Sequence, residues 1–323
     1  MERQNRRCNR KHLISLRSLL NNIFKSMSED SAMRKSYHEG CKLLRTSLTV
    51  FQTALNDVEN EMNDFSDTFM PVTDKGWTSK WLTAFEKSHV PPEKLPSLEK
   101  LPEFIKSELQ VKIAVHKQHY DAWITKMYVP NYELMQKIFV VCNATPCVEI
   151  ASKIGSRVVL ADNAGLTEYS FVSFWDDMIR HVLDFVLPGI GISSRNSNQQ
   201  TSTGLKHPDF QYVINSICVL RGEEKDQRSS HAHAQIELTK KLTWTYGDVP
   251  YIFGYTAVAW NVKLYAITNP NDSETNNSQA KCLGDFSLKF IEGRFQLMLA
   301  IFNIGRLLQS IASLCPKESD VIE

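Results

Sequence analysis

Between Asp209 and Lys225 the chain carries two short apolar runs, Phe210-Gln211-Tyr212-Val213-Ile214 and Ile217-Cys218-Val219-Leu220, separated by Asn215-Ser216. β-Branched and aromatic residues suit a pleated surface, and a polar pair between two such runs is turn chemistry. The pattern predicts strands from Asp209 to Ile214 and from Ile217 to about Lys225. A lone hairpin is marginal in water, so further strands or helices must cover it.

The flanking sequence supplies them. Thr167 opens a predicted helix in which Phe171, Phe174, Trp175, Met178, Val182 and Phe185 follow the 3.6-residue period, closed by Pro188-Gly189. After a polar loop, Ser193 to Gly204, and the hairpin, a helix is expected over about Ala232 to Trp244. Strands Tyr251 to Ala259 and Val262 to Thr268 follow, then a long terminal helix. This order argues for an α/β domain: a mixed central sheet flanked by helices, over 161–323.

Residues 1–160 read as a mainly helical N-terminal region. Leu13, Leu16, Leu19, Leu20, Ile23 and Phe24 recur at helical spacing, as do Leu43, Leu44, Leu48, Phe51, Leu55, Val58 and Met62. Packing into a core is the simpler role for these helices, and a protein partner docking on them is the alternative. The prolines of Val90 to Pro102 exclude helix and central strand there, leaving a linker or a surface-hugging connection. The aromatic-rich stretch Asp121 to Lys137 reads as irregular or short helical structure.

Several function classes lose their footing in the composition. With a formal net charge of +1 there is no chain-wide pull toward nucleic acid or membrane, so any such surface must be local. Seven cysteines scattered at an odd count fit reduced thiols inside a cell, in nucleus or cytoplasm, and no signal-peptide-like run follows the basic first residues. The apolar stretch Phe286 to Leu314 is broken by Lys289, Glu292, Arg294 and Arg306, which marks a buried or amphipathic helix rather than a membrane span. No Ser-His-Asp or Cys-His arrangement and no phosphate-cradling glycine loop is legible.

The hairpin carries the chemistry. Phosphodiester hydrolysis needs carboxylates to hold a divalent metal against the phosphate, and an amine to orient the attacking water. Asp209, Glu223 and Lys225 supply those parts. Glu223 and Lys225, two apart on a strand, share a face. A strict two-residue turn at Asn215-Ser216 would put Asp209 opposite Gly222, on the face of Glu224. Pairing Asp209 with Glu223 requires a longer loop or a bulge, for which Gly222 is a candidate; without one, Glu224 replaces Glu223 as the ligand.

Pro208-Asp209 followed by Glu223-Glu224-Lys225 resembles the signature of the PD-(D/E)xK, or restriction-endonuclease-like, nucleases. The wider phrasing extends the likeness: Gln199 to Gly204, Arg221-Gly222, Leu242 to Asp248, and Tyr251 to Tyr255. Over roughly 165–315 it looks like the nuclease module of Crinkler-type effector proteins of fungi and oomycetes. The Leu-x-Leu-Phe-Leu-Ala-Lys motif common in their headers is not in this sequence. The resemblance implies a restriction-endonuclease-like core and a nuclease using Mg²⁺ or Mn²⁺, with DNA as the substrate. Asp209 and Glu223 would hold the metal, Glu168 adding a third carboxylate, with Lys225 and Gln235 completing the catalytic set. The competing expectation is a non-catalytic scaffold that binds nucleic acid or protein.

Other readings are blander. Asp176, Asp177 and Asp184 are expected on a solvated helix face. His231 and His233 lack partners for a zinc site and suit a helix N-terminus or a phosphate-facing position. Cys142 and Cys147 are expected to be free thiols. Arg195, Lys206, Arg221, Lys225 and Arg228 cluster in sequence, either as a local phosphate-neutralising surface or as solvated loop charges.

Overall fold

In the computed structural model the described residues are 76–159, 168–195, 208–240, 242–269 and 279–315. All lie within a compact unit running from Thr73 to Glu323. The two N-terminal helices expected before residue 63 lie outside the described residues.

The centre is a six-stranded sheet of β3 (Ile192–Ser194), β4 (Phe210–Ile214), β5 (Ile217–Lys225), β6 (Ile252–Val258), β7 (Asn261–Thr268) and β8 (Gln279–Ser287), in that order. Only β5 and β6 run parallel; the other neighbours are antiparallel. A separate parallel pair joins β1 (Ile113–Val115) to β2 (Phe139–Val141). The architecture is therefore the mixed α/β one that the patterning implies. Two sheet strands were not legible. β3 falls in the expected polar loop, and β8, with its irregular mix of charged and apolar residues, precedes the terminal helix unannounced.

The helices among the described residues are α1 (Trp77–Glu86), α2 (Leu101–Phe104), α3 (Lys117–Thr125), α4 (Tyr132–Ile138), α5 (Val148–Ile154), α6 (Glu168–Trp175), α7 (His181–Val186), α8 (His231–Lys240) and α9 (Ile291–Leu314). The helix expected from Thr167 to Pro188 is α6 and α7 joined through a π-helical turn, Asp176–Arg180. A second π turn, Gly155–Val159, extends α5.

The boundary expected at residue 160 does not divide compact units, because residues 77–159 share their core with the sheet domain. Trp81 and Phe85 pack on Phe302 of α9, with ring centroids 6.0 and 6.1 Å apart. Asn303 donates to the carbonyls of Ile105 and Ser107, and Arg306 Nε donates to that of Ser88. The proline-rich connection is pinned as well: Val90 N–H donates to Arg306 O, and Tyr251 donates to Pro96 O at 2.9 Å.

By length and composition α9 is apolar enough to cross a bilayer, yet 83% of its most apolar window is buried inside the protein. Its polar residues show why a core can hold them. Arg294 donates to Leu288 O at 2.8 Å and Val158 O at 3.2 Å, so the buried guanidinium finds the carbonyls that burial demands.

Candidate active site at the end of β5

The hairpin turns at Asn215 and Ser216, whose φ angles of 50° and 66° give the left-handed geometry of a two-residue type I′ turn. A bulge then corrects the register. Tyr212 pairs with Leu220 while Val213 pairs with Cys218, so Val219 is the extra residue. Beyond it Phe210 faces Gly222, and one step further Asp209 faces Glu223. The bulge that the site requires thus exists, at Val219 rather than Gly222. Asp209 joins the face of Glu223 and Lys225, and Glu224 points to the other side.

Gly222 serves a different purpose. A Cβ there would lie 2.2 Å from Cζ of Tyr255, its neighbour on β6. The missing side chain lets the phenol lie across the strand, and its hydroxyl donates to Glu224 Oε1 at 2.6 Å.

Lys225 is the hub. Its Nζ lies 3.2 Å from Asp209 Oδ2, 3.7 Å from Glu223 Oε2 and 3.3 Å from Glu237 Oε2. Asp209 Oδ2 also accepts the backbone N–H of Glu224 at 2.8 Å, which fixes the carboxylate against β5. Burial alone would lower the Lys225 pKa, but Asp209 first, then Glu223 and Glu237, raise it to about 12. The ammonium is charged at any physiological pH. Glu223 is fully buried, whereas a third of the Asp209 side chain and a quarter of Glu237 are exposed, so access is from the Asp209–Glu237 side.

Glu237 is the residue that sequence reading missed. It sits on α8, which His231 tethers to the sheet through Nδ1 and Thr256 Oγ1, 2.7 Å apart. His233 Nε2, one turn before Glu237, lies 3.2 Å from its Oε1. Gln235, expected from the resemblance, does not join: its amide donates to Ala280 O on β8 at 3.3 Å. The i, i+4 spacing of His233 and Glu237 was visible in the sequence, but which side of α8 faces Lys225 was not.

Glu168 begins α6, and its side chain lies outside the described residues. Asp176 is not on a solvated face: only 13% exposed, it accepts from Arg195 Nε at 2.7 Å. Nor do the basic residues form one phosphate-neutralising surface. Arg195 is bound to Glu224 and Asp176, Arg221 is buried, Arg228 pairs with Asp226, and Lys206 lies outside the described residues. Cys142 and Cys147 are free thiols.

Behind the site the Arg195 guanidinium holds Glu224 at two points, Nη1 to Oε2 at 2.6 Å and Nη2 to Oε1 at 2.9 Å. Burial raises the Glu224 pKa, with Arg195 and Tyr255 pulling against it.

Among the described residues no three His, Cys, Asp or Glu side chains stand ready as a metal cage. The donors on the site face are carboxylate oxygens, the chemistry that Mg²⁺ and Mn²⁺ prefer, and the space between them is taken by the Lys225 ammonium. A two-carboxylate site with water in its remaining positions suits Mg²⁺, which gives up water reluctantly.

Compared with known proteins, the chain is similar to Crinkler effector protein 8 of Phytophthora infestans, at 36% identity over 249 residues. The match takes in 76% of this chain and 40% of that relative's length. No family model matches the chain, and no solved structure matches it.

Proposed function

We propose that this chain is a divalent-metal-dependent nuclease with a PD-(D/E)xK core, hydrolysing phosphodiester bonds in DNA, and that it acts as a Crinkler-type effector. The observation that carries the nuclease reading is the convergence of Asp209, Glu223 and Glu237 on Lys225 Nζ. The effector role rests on the similarity to the oomycete protein. The substrate rests on the sequence resemblance.

Asp209 and Glu223 are the residues that would hold Mg²⁺ or Mn²⁺. The bound ion would supply charge stabilisation at the phosphate and a more acidic water. Lys225 donates to the attacking oxygen and balances the charge gathering on the phosphoryl oxygens. Its raised pKa suits this electrostatic role and not that of a general base, which would need a neutral amine. Asp209 keeps its orientation through the Glu224 N–H, so the carboxylate is preorganised before substrate arrives.

The test is incubation of the purified protein with plasmid and single-stranded DNA in Mg²⁺ or Mn²⁺, beside Asp209→Ala, Lys225→Ala and an EDTA control. Cleavage by the wild type, lost in both variants and in EDTA, is the expected result. A folded wild-type protein that cuts neither DNA nor RNA would sink this reading in favour of a binding scaffold.

A further inference from the structure

The two faces of β5 carry complementary arrangements. Glu223 and Lys225 face the site; Gly222 and Glu224 face the core, where Tyr255 and Arg195 meet Glu224. Glu224 is 1% exposed, and its partners form a chain through Arg195 to Asp176. A buried ion pair is no more stabilising than well-packed apolar side chains, so its value must be sought in the structure it selects.

We infer that Arg195, Glu224 and Tyr255 are positioning residues that lock the hairpin in its bulged register, the only one that unites Asp209 with Glu223 and Lys225. Arg195 follows β3 and, one step beyond the Ser194–Gln211 pair, lies opposite Phe210, its guanidinium 5.5 Å from that ring. It is on the opposite face of the sheet from Asp209. In a hairpin without the Val219 bulge, Asp209 would face Gly222 and share its side with Glu224. Arg195 would then be on the wrong face to hold Glu224. The Arg195–Glu224 pair and the Asp209–Lys225 contact therefore occur in one register and are lost together in the other. Tyr255 supports the choice indirectly: paired with Gly222 across β5 and β6, its hydroxyl holds Glu224 on the face where Arg195 meets it in the bulged register alone.

The consequence for catalysis rests on the nuclease reading; the register itself does not, and can be read without activity. Asp209→Cys with Glu223→Cys places thiols at directly opposed positions, and mild oxidation followed by peptide mapping measures their disulfide. In the background of Arg195→Met with Glu224→Met, which removes both buried charges and keeps side-chain bulk, the disulfide yield is expected to fall at least about five-fold while far-ultraviolet circular dichroism is retained. An unchanged yield in that folded variant overturns the lock. Should the double methionine variant fail to fold, Arg195→Met with Glu224→Gln, which keeps an acceptor for the Tyr255 hydroxyl, decides in its place: a reduced yield supports the lock and an unchanged one overturns it. With the site residues native, Arg195→Met/Glu224→Met should lower kcat at least about ten-fold with KM unchanged, as expected of misplaced catalytic groups. If the wild type cuts no DNA, the nuclease reading falls while the disulfide still decides the register.

Discussion

Lys225 on β5 and Glu237 on α8 stand 3.3 Å apart across the junction of sheet and helix. The contact makes α8 part of the candidate site and gives the lysine a third carboxylate neighbour.

Replacing Glu237 separates function from stability. Its side chain is a quarter exposed and its pairing with Lys225 is partly solvated, so Glu237→Gln should cost at most about 1 kcal/mol. Its effect on DNA cleavage should be larger, about ten-fold or more, because the lysine loses a positioning contact. Thermal unfolding and plasmid nicking on one preparation check both.

Lys225→Met leaves Asp209, Glu223 and Glu237 without the ammonium between them. Their mutual repulsion should make the variant less stable than wild type at low salt, and added Mg²⁺ or Mn²⁺ should raise its Tm more than that of wild type. Equal metal shifts in the two proteins, measured by calorimetry, would count against metal binding at these carboxylates.

The raised Lys225 pKa carries a pH signature with a definite sign. Because the folded value, about 12, exceeds the unfolded one, the contribution is fully present below the unfolded pKa and is lost as pH rises through 12. The stability difference between wild type and Lys225→Met should therefore be flat through neutral pH and shrink on the alkaline side. Urea unfolding from pH 8 upward, done on both proteins, isolates it from other titrating groups.

Gly222→Ala drives a methyl group into the Tyr255 ring, an overpacking expected to cost about 1–3 kcal/mol. Combining it with Tyr255→Leu should cost less than the sum of the two single changes, since the clash is removed with the ring. Chemical denaturation of the four proteins closes the cycle.

Ser216→Gly should stabilise the hairpin. Both turn residues have positive φ, and Asn-Gly is the favoured pair for a type I′ turn. A gain of about 0.5–1 kcal/mol is expected as a higher urea midpoint with an unchanged m value.

The sequence by itself determined the local elements around the site. The apolar runs and the Asn215-Ser216 break set the two hairpin strands, and the alternation of Glu223 and Lys225 put them on one face, because strand periodicity is a property of the backbone. The 3.6-residue stripe from Phe171 to Phe185 likewise gave the helix that becomes α6 and α7. What it left open, only tertiary packing could close. Whether Asp209 meets Glu223 or Glu224 depends on one extra residue, Val219, and the local sequence favours neither side of that bulge. The neighbouring strand β3 and the pairing of Arg195 with Glu224 decide it. Glu237 rather than Gln235 reaches Lys225 because α8 is rotated by its anchors, Thr256 and Ala280, both on other strands. The domain boundary expected at residue 160 is absent for the same reason. The aromatic face of α1 finds its partner in α9, and no local pattern reports which distant surface an apolar stripe will cover.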